Sequence, residues 1–343
     1  MNPRNGCVRR GAPQVVVITG ASAGLGRAIA REFARHGARL GLIARDPERL
    51  QHAVREMVRL GGEAIALPAD VADPQQVNQA ADQVEERFGP IDIWVNNAMT
   101  TIFAPFVEIE PGEYRRATEV TYLGAVWGTM IALKKMKPRN CGTIVQVGSA
   151  LAYRSIPLQA AYCGAKHAVM GFTDTLRTEL IHDRSNVHLT MVQMPALNTP
   201  QFAWCRNRMP RHPAPMPPIY NPEVGARAVY WAAHHRRREV RVGVSTLASI
   251  VANKIAPGPL DLFLGRSGYA AQQTGQPVDP QRPDNLMTPV QGDYAAHGSF
   301  DDRALGHAPA TWVDMHRGAA AIMLAALPIA YYILRMRRRS RLY

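Results

Sequence analysis

Two rhythms of apolar residues alternate along this chain. Short unbroken runs of β-branched and aliphatic residues read as strands buried on both faces. Between them, apolar positions three and four apart read as helices with one buried stripe. The first run is Gln14–Thr19, followed by a helical pattern through Arg35. Arg39–Ala44 is the second, and the helix after it carries Leu50, Val54, Met57 and Val58 on one face. Glu63–Pro68 is the third, followed by a stripe of Val77, Ala80, Ala81, Val84 and Phe88 that Gly89-Pro90 stops. Ile91–Val95, Gly142–Val147, Val187–Gln193 and Glu239–Val244 complete a set of seven. Long helices are predicted over 113–137 and from the region of Tyr162 to about Leu180, with another over 222–233. Strands alternating with helices require parallel pairing through right-handed crossovers. The fold class is therefore α/β, a doubly wound, mostly parallel seven-stranded sheet with helices on both faces.

Ligands of such sheets lie beyond the carboxyl ends of the strands. The chain has unusual chemistry at each of those ends. After the first strand comes T-G-A-S-A-G-L-G, Thr19–Gly26, opening a helix. Gly20, Gly24 and Gly26 let a backbone approach a diphosphate, and Ser22 and Leu25 belong to the same turn. The helix N-terminus directs its free N–H groups and positive dipole at the same place. The second strand ends in Ala44-Arg45, where an acidic residue would hold a ribose 2′-hydroxyl. An arginine there suits a 2′-phosphate, which favours NADP(H) over NAD(H). Asp46-Pro47 and Asp73-Pro74 read as helix caps followed by proline at the first helical position. The third strand runs into Asp70-Val71 and the fourth into Asn96-Asn97-Ala98.

Ser149 stands just past the fifth strand, and Tyr162 and Lys166 follow on a helix. A spacing of four puts the phenol and the ammonium on one face, a turn apart. The positive neighbour is expected to pull the phenol's pKa down from about 10, so that it exchanges a proton near neutrality. Taken alone, such a pair more often marks a solvated helix face.

Taken together, these motifs resemble the short-chain dehydrogenase/reductase family over Gln14–Thr246. The resemblance rests on T-G-x-x-x-G-x-G, Asp70-Val71, Asn96-Asn97-Ala98, Ser149, Tyr162-x-x-x-Lys166 and the segment Pro195–Thr199, in the family's order. It implies a Rossmann-like fold and hydride transfer between a nicotinamide and a ketone or secondary alcohol. It implies Tyr162 as general acid or base, Lys166 lowering its pKa and holding the nicotinamide ribose, and Ser149 orienting the reacting oxygen. Asp70 would contact adenine and Asn96 the cofactor strand region, with Val71, Asn97, Ala98 and Pro195 beside the cofactor and Thr199 on the carboxamide. Three departures stand out. Met99 replaces the glycine after Asn-Asn-Ala, and Ala196 follows Pro195 where glycine is usual. Thr121 stands where the family's catalytic asparagine is expected, retaining only the backbone carbonyl that helps hold a water. A second reading follows from these losses, a non-catalytic cofactor-binding scaffold at a membrane surface.

Composition adds limits. The chain has 343 residues, 47% hydrophobic and 20% charged, enough for a sizeable core. Its net charge of +13 lies partly in arginine clusters, which attract phosphate on lipid, nucleic acid or cofactor. No zinc-finger or nucleic-acid motif accompanies them, so nucleic acid is not expected as a partner. Cys7, Cys141, Cys163 and Cys205 are irregularly spaced and suggest neither a metal site nor a disulfide framework. Phe202, Trp204 and Met209 follow Thr199, where an apolar lid would suit a lipophilic substrate. Beyond Thr246 the resemblance ends. A helix is expected within 247–264, and 247–310 otherwise reads as an irregular extension or linker. Gly318–Leu334 is uncharged, with Trp312 before it and arginines after it, and 311–343 reads as a membrane anchor. The arginines and the cofactor both call for the cytosolic side, so an interfacial anchor on anionic lipid is expected for a cytoplasmic, membrane-associated enzyme. A homo-oligomer is expected from the resemblance.

Overall fold

The computed structural model describes residues 13–279 and 281–318. Seven strands make one sheet: β1 (Val15–Thr19), β2 (Arg39–Ala44), β3 (Glu63–Pro68), β4 (Ile93–Asn96), β5 (Thr143–Ser149), β6 (His188–Met194) and β7 (Glu239–Arg241). Their order is β7-β6-β5-β4-β1-β2-β3, with every pair parallel. The order changes direction at β1, which has β2 on one side and β4 on the other. A crevice opens at that switch point, beyond the carboxyl ends of the strands. All five residues of β1 are buried, as a central strand covered on both faces demands.

The helices are α1 (Gly24–Arg35), α2 (Pro47–Arg59), α3 (Pro74–Phe88), α4 (Pro111–Thr118), α5 (Gly124–Met136), α6 (Ala160–His182), α7 (Pro222–His234), α8 (Gly243–Ile255), α9 (Pro257–Ala271) and α10 (Pro309–Met315). One core joins α1, α2 and α7 to a sheet face through Phe33, Leu50, Met57 and Val229 against Ile18, Leu40 and Val145. On the other face Val84 of α3 and Ile131 and Met136 of α5 pack with Val17, Trp94 and Ile144. Each such side chain, taken fully from water, contributes about 1.5–3 kcal/mol. The two expected caps form: Asp46 accepts from Arg49 N at 2.9 Å and Asp73 from Gln75 N at 2.8 Å.

Three elements differ from the expectation. The single helix over 113–137 is α4 and α5 joined by a π-helical turn, Glu119–Leu123. The seventh strand stops at Arg241, and Gly243, with φ of +76°, opens α8 instead. The helical region near 247–264 is broken by Pro257, which cannot continue α8 and begins α9.

The extension differs most. Expected as an irregular linker, it folds back onto the catalytic unit. Gln273–Pro277 pairs antiparallel with Arg211–Pro213, and Ala304–Leu305 pairs with Ile219–Tyr220. Leu286, Ala296 and Phe300 are buried. These anchors insert singly into separate clusters, so they leave no sequence period to read. The cysteines also depart from expectation: Cys141 is disulfide-bonded, while Cys163 and Cys205 are free and buried. No described helix is long and apolar enough to cross a membrane. Of the expected anchor over 311–343, only 311–318 are described, 311–315 of them in α10, and the rest lies outside the described residues.

Candidate active site

The glycine-rich turn is clamped to the end of β4. Thr19 Oγ1 accepts from Asn97 N at 2.9 Å and Ala98 N at 3.0 Å. Asn97 Nδ2 donates to Thr19 O at 2.9 Å and Gly20 O at 3.3 Å. Asn97 therefore spends its amide on shaping the turn. Asn96 lies deeper and donates to Thr129 Oγ1 at 2.9 Å and Gln146 Oε1 at 3.1 Å. Gly20 has φ of +66°, and a Cβ on Gly26 would lie 2.1 Å from Gly20 O. Only glycines let α1 start so close to the strand. Ala23 offers α1 no side-chain cap, so the first N–H groups are left for another acceptor.

Past β5, Ser149 caps the short turn Ala150–Ala152, its Oγ accepting from Leu151 N at 3.1 Å. That bond leaves the hydroxyl proton free to be given elsewhere. Tyr162, in the first turn of α6, has the Ser149 hydroxyl as a neighbour that favours its phenolate. Lys166 is buried, and its Nζ donates to Val147 O at 2.7 Å and sits 5.6 Å from the centre of the Tyr162 ring.

Burial pushes the Tyr162 phenol up to about 12, and the Ser149 hydroxyl offsets only part of that. Burial also pushes the Lys166 ammonium down to about 8. The expected lowering of the phenol by Lys166 is thus reversed. Loss of hydration disfavours charge on both groups, and this outweighs their mutual attraction. At neutral pH the phenol holds its proton.

One cavity of about 460 Å³ runs over this centre and the glycine turn. It is lined by Gly20, Ser22, Gly24, Leu25, Gly26, Arg45, Asp70, Val71, Asn97 and Ala98 at one end. Ser149, Tyr162, Lys166, Pro195 and Thr199 line the other. Of the predicted residues, Asn96 and Thr121 do not line it. Thr121 sits buried in the π-helical turn, where its Oγ1 accepts from Thr100 N at 3.0 Å and donates to Thr100 O at 2.9 Å. It fixes the loop that carries Met99 to the cavity wall.

The lid is used differently from expectation. Phe202 lines the cavity, but it also packs with Phe103 and Phe300. Trp204 lines it too while stacking edge-on against Tyr294, and Met209 packs on a satellite core. The apolar wall beside Tyr162 comes largely from elsewhere: Leu151, Ile156, Met194 and Met216, with Leu260, Phe263 and Leu264 of α9. No motif marks these α9 residues, because they reach the site through the fold of the extension.

At the other end, Asp70 is ion-paired with Arg116 and accepts from Ala72 N at 3.0 Å. Arg45 Nη1 donates to Met287 O at 2.8 Å. Arg49, a residue the sequence reading passed over, donates to Gly292 O at 2.8 Å and to Val290 O. Its place one turn after Arg45 on α2 was the available signal. The glycine cradle, the uncapped helix start and the arginine pair fit a nicotinamide dinucleotide.

The short chain dehydrogenase family model matches residues 14–208. The chain belongs to the short-chain dehydrogenase/reductase family. Among relatives, the chain is 32% identical over 270 residues to uncharacterized oxidoreductase YxnA of Bacillus subtilis, covering 78% of this chain and 76% of that one. It is 34% identical over 193 residues to 3-dehydrosphinganine reductase of Danio rerio, covering 55% of this chain and 58% of the relative. Among solved structures it is similar to an alcohol dehydrogenase from the archaeon Thermococcus sibiricus complexed with 5-hydroxy-NADP. That likeness has a TM-score of 0.58 and 29% identity, over 67% of this chain and 96% of the other. This short-chain dehydrogenase/reductase is an oxidoreductase acting on CH–OH groups by hydride transfer with a nicotinamide cofactor.

Proposed function

We propose that the enzyme uses NADP(H) to interconvert a lipophilic ketone and its secondary alcohol, with Tyr162 as the general acid/base. The observation that carries this reading is Ser149 and Tyr162 lining one cavity with apolar walls beside buried Lys166, whose Nζ is fixed on Val147 O. The apolar residues of α9 support a lipophilic substrate. So does the relative named 3-dehydrosphinganine reductase. Arg45 and Arg49 at the end of β2 support NADP(H), as does the neighbour bound to 5-hydroxy-NADP.

The bound nicotinamide supplies hydride in reduction and accepts it in oxidation. Ser149, its oxygen already occupied by Leu151 N–H, turns its proton toward the substrate oxygen and fixes it in place. Tyr162, protonated at neutral pH, donates to that oxygen in reduction and takes the proton back in oxidation. Lys166 stabilises the phenolate that forms when Tyr162 has given up its proton. Thr121 is a positioning residue, holding the Met99–Thr100 loop. Its backbone carbonyl, one turn into the α4–α5 junction, is the group that would hold a relay water.

The test is oxidation of NADPH and NADH, side by side, with ketones graded by apolar chain length. Turnover should rise with chain length and prefer NADPH. Tyr162→Phe should lose turnover by about 10³-fold or more while still binding the cofactor. Full turnover in Tyr162→Phe removes that residue from the mechanism. Absence of turnover with every ketone and alcohol, despite cofactor binding, would favour the scaffold reading.

A further inference from the structure

One run of the extension, residues 285–295, crosses the Arg45 end of the cleft and answers every donor there. Arg45 gives its guanidinium to the carbonyls of Met287 at 2.8 Å and Leu286 at 3.4 Å, and to that of Asn285. Arg49 gives its own to Gly292 at 2.8 Å and to Val290. Gly24, the first residue of α1, donates its N–H to Ala295 O at 2.8 Å. An anion would seek the same donors, two guanidinium groups and a helix N-terminus. Six residues of one irregular run offer neutral carbonyls in its place.

The charge there is not balanced. Arg49 has Asp46 at 3.3 Å and Arg116 has Asp70. Arg45 makes no ion pair among the described residues, and burial and the charges of Arg116 and Arg49 lower its pKa, against the opposing pull of Asp70. A partly buried cation held only by carbonyls leaves room for a stronger, charged acceptor.

The run is also held through its own side chains. Leu286 is fully buried with Ile102, Ala104, Ala117 and Ala161. Asp293 pairs with Arg27 at 2.9 Å, and Tyr294 stacks on Trp204. Of these, the Leu286 side chain can be trimmed without removing a contact to Arg45 or Arg49, whereas Trp204 and Tyr294 also lie against the Arg49 guanidinium, at 5.0 and 5.4 Å.

We infer that residues 285–295 are a displaceable stand-in for the 2′-phosphate of NADP(H), occupying the Arg45–Arg49 subsite until that phosphate takes it. The inference rests on the NADP(H) reading above and adds a cost to it. A 2′-phosphate makes bidentate, charge-assisted bonds that carbonyls cannot match, so it can lift the run. A ribose 2′-hydroxyl gives the arginines nothing better than they have, so NAD(H) leaves the run in place. A ligand moves such an equilibrium only by its differential affinity for the two arrangements. The run therefore acts on the phosphate-bearing cofactor selectively, lowering its affinity by the fraction of molecules in which the subsite is open.

Hydrogen–deuterium exchange of the full chain is the test, with NADPH, NADH and 2′,5′-ADP as probes, alongside their dissociation constants. NADPH and 2′,5′-ADP should speed exchange within 285–295, and NADH should not. Leu286→Ala should tighten NADPH and 2′,5′-ADP about threefold or more and leave NADH nearly unchanged. Asp293→Asn, which removes a pair near the surface, should do the same more weakly and guards against misfolding of the first variant. Slower or unchanged exchange within 285–295 on NADPH binding would overturn the inference, since the run would then be a clasp or a fixed wall. Failure to bind any of the three probes would overturn the NADP(H) reading itself, and the inference with it.

Discussion

The two ends of the cleft solve opposite problems. At the Tyr162 end the candidate groups are already in place: Ser149 and Lys166 are each fixed by a short backbone contact beside Tyr162, and the cavity beside them is open. At the Arg45 end the charges are also in place, but each is taken by a carbonyl of the returning extension. The first end is preorganised, so binding need not rearrange it. At the second end binding replaces existing bonds, and its affinity is the difference between two sets of contacts. A site can thus be complete in its residues and still differ along its length in what must move.

The sharpest way to break this comparison is at the turn that both ends share. In Gly26→Ala the new Cβ meets the backbone of Gly20, which cannot shift without moving β1 and α1. We expect a loss of ~3 kcal/mol or more in chemical denaturation and no measurable binding of either dinucleotide. Normal binding would mean that the turn is not the phosphate cradle.

Arg45→Ala tests the second end alone. NADPH should bind about 10- to 100-fold more weakly by titration, while NADH binding changes little. Equal losses for both cofactors would make Arg45 a structural residue.

The first end is tested by pH. Lys166 is held near 8 in the folded protein against an ordinary value of 10.5. Between those values the unfolded chain keeps the proton that the folded chain has released. Raising pH through that window therefore favours the fold, by up to about 1.4 kcal/mol per pH unit from this group. The difference between wild type and Lys166→Met, from denaturation curves at pH 8 to 10, should show that slope. Parallel curves would mean that Lys166 is not buried as a cation.

How much of this could be read in advance depended on distance along the chain. The strands, the caps at Asp46 and Asp73 and the glycine turn are local patterns, each set by a few neighbouring residues. The order of the motifs at strand ends placed the cleft, because a parallel α/β sheet has one edge where ligands can sit. Met99 and Thr121 stood out as departures for the same reason, being read within short segments.

Other features belonged only to the tertiary structure. The pKa of Tyr162 depends on how much water the fold removes from it, and burial reversed the shift that a lysine one turn away had suggested. Trp204 lines the cavity as its position after Thr199 suggested, but that it does so against Tyr294, ninety residues further on, could not be read in advance. The segment 247–310 looked like a linker because Leu286, Ala296 and Phe300 act one at a time in grooves made by distant elements. Periodicity reports an element that buries its own face; it is silent on a strand-like run whose hydrogen bonds are supplied by another part of the chain. The sequence by itself therefore determined the sheet, the cleft and the reacting groups. Which groups meet, which are charged and which are already occupied was decided when the chain returned on itself.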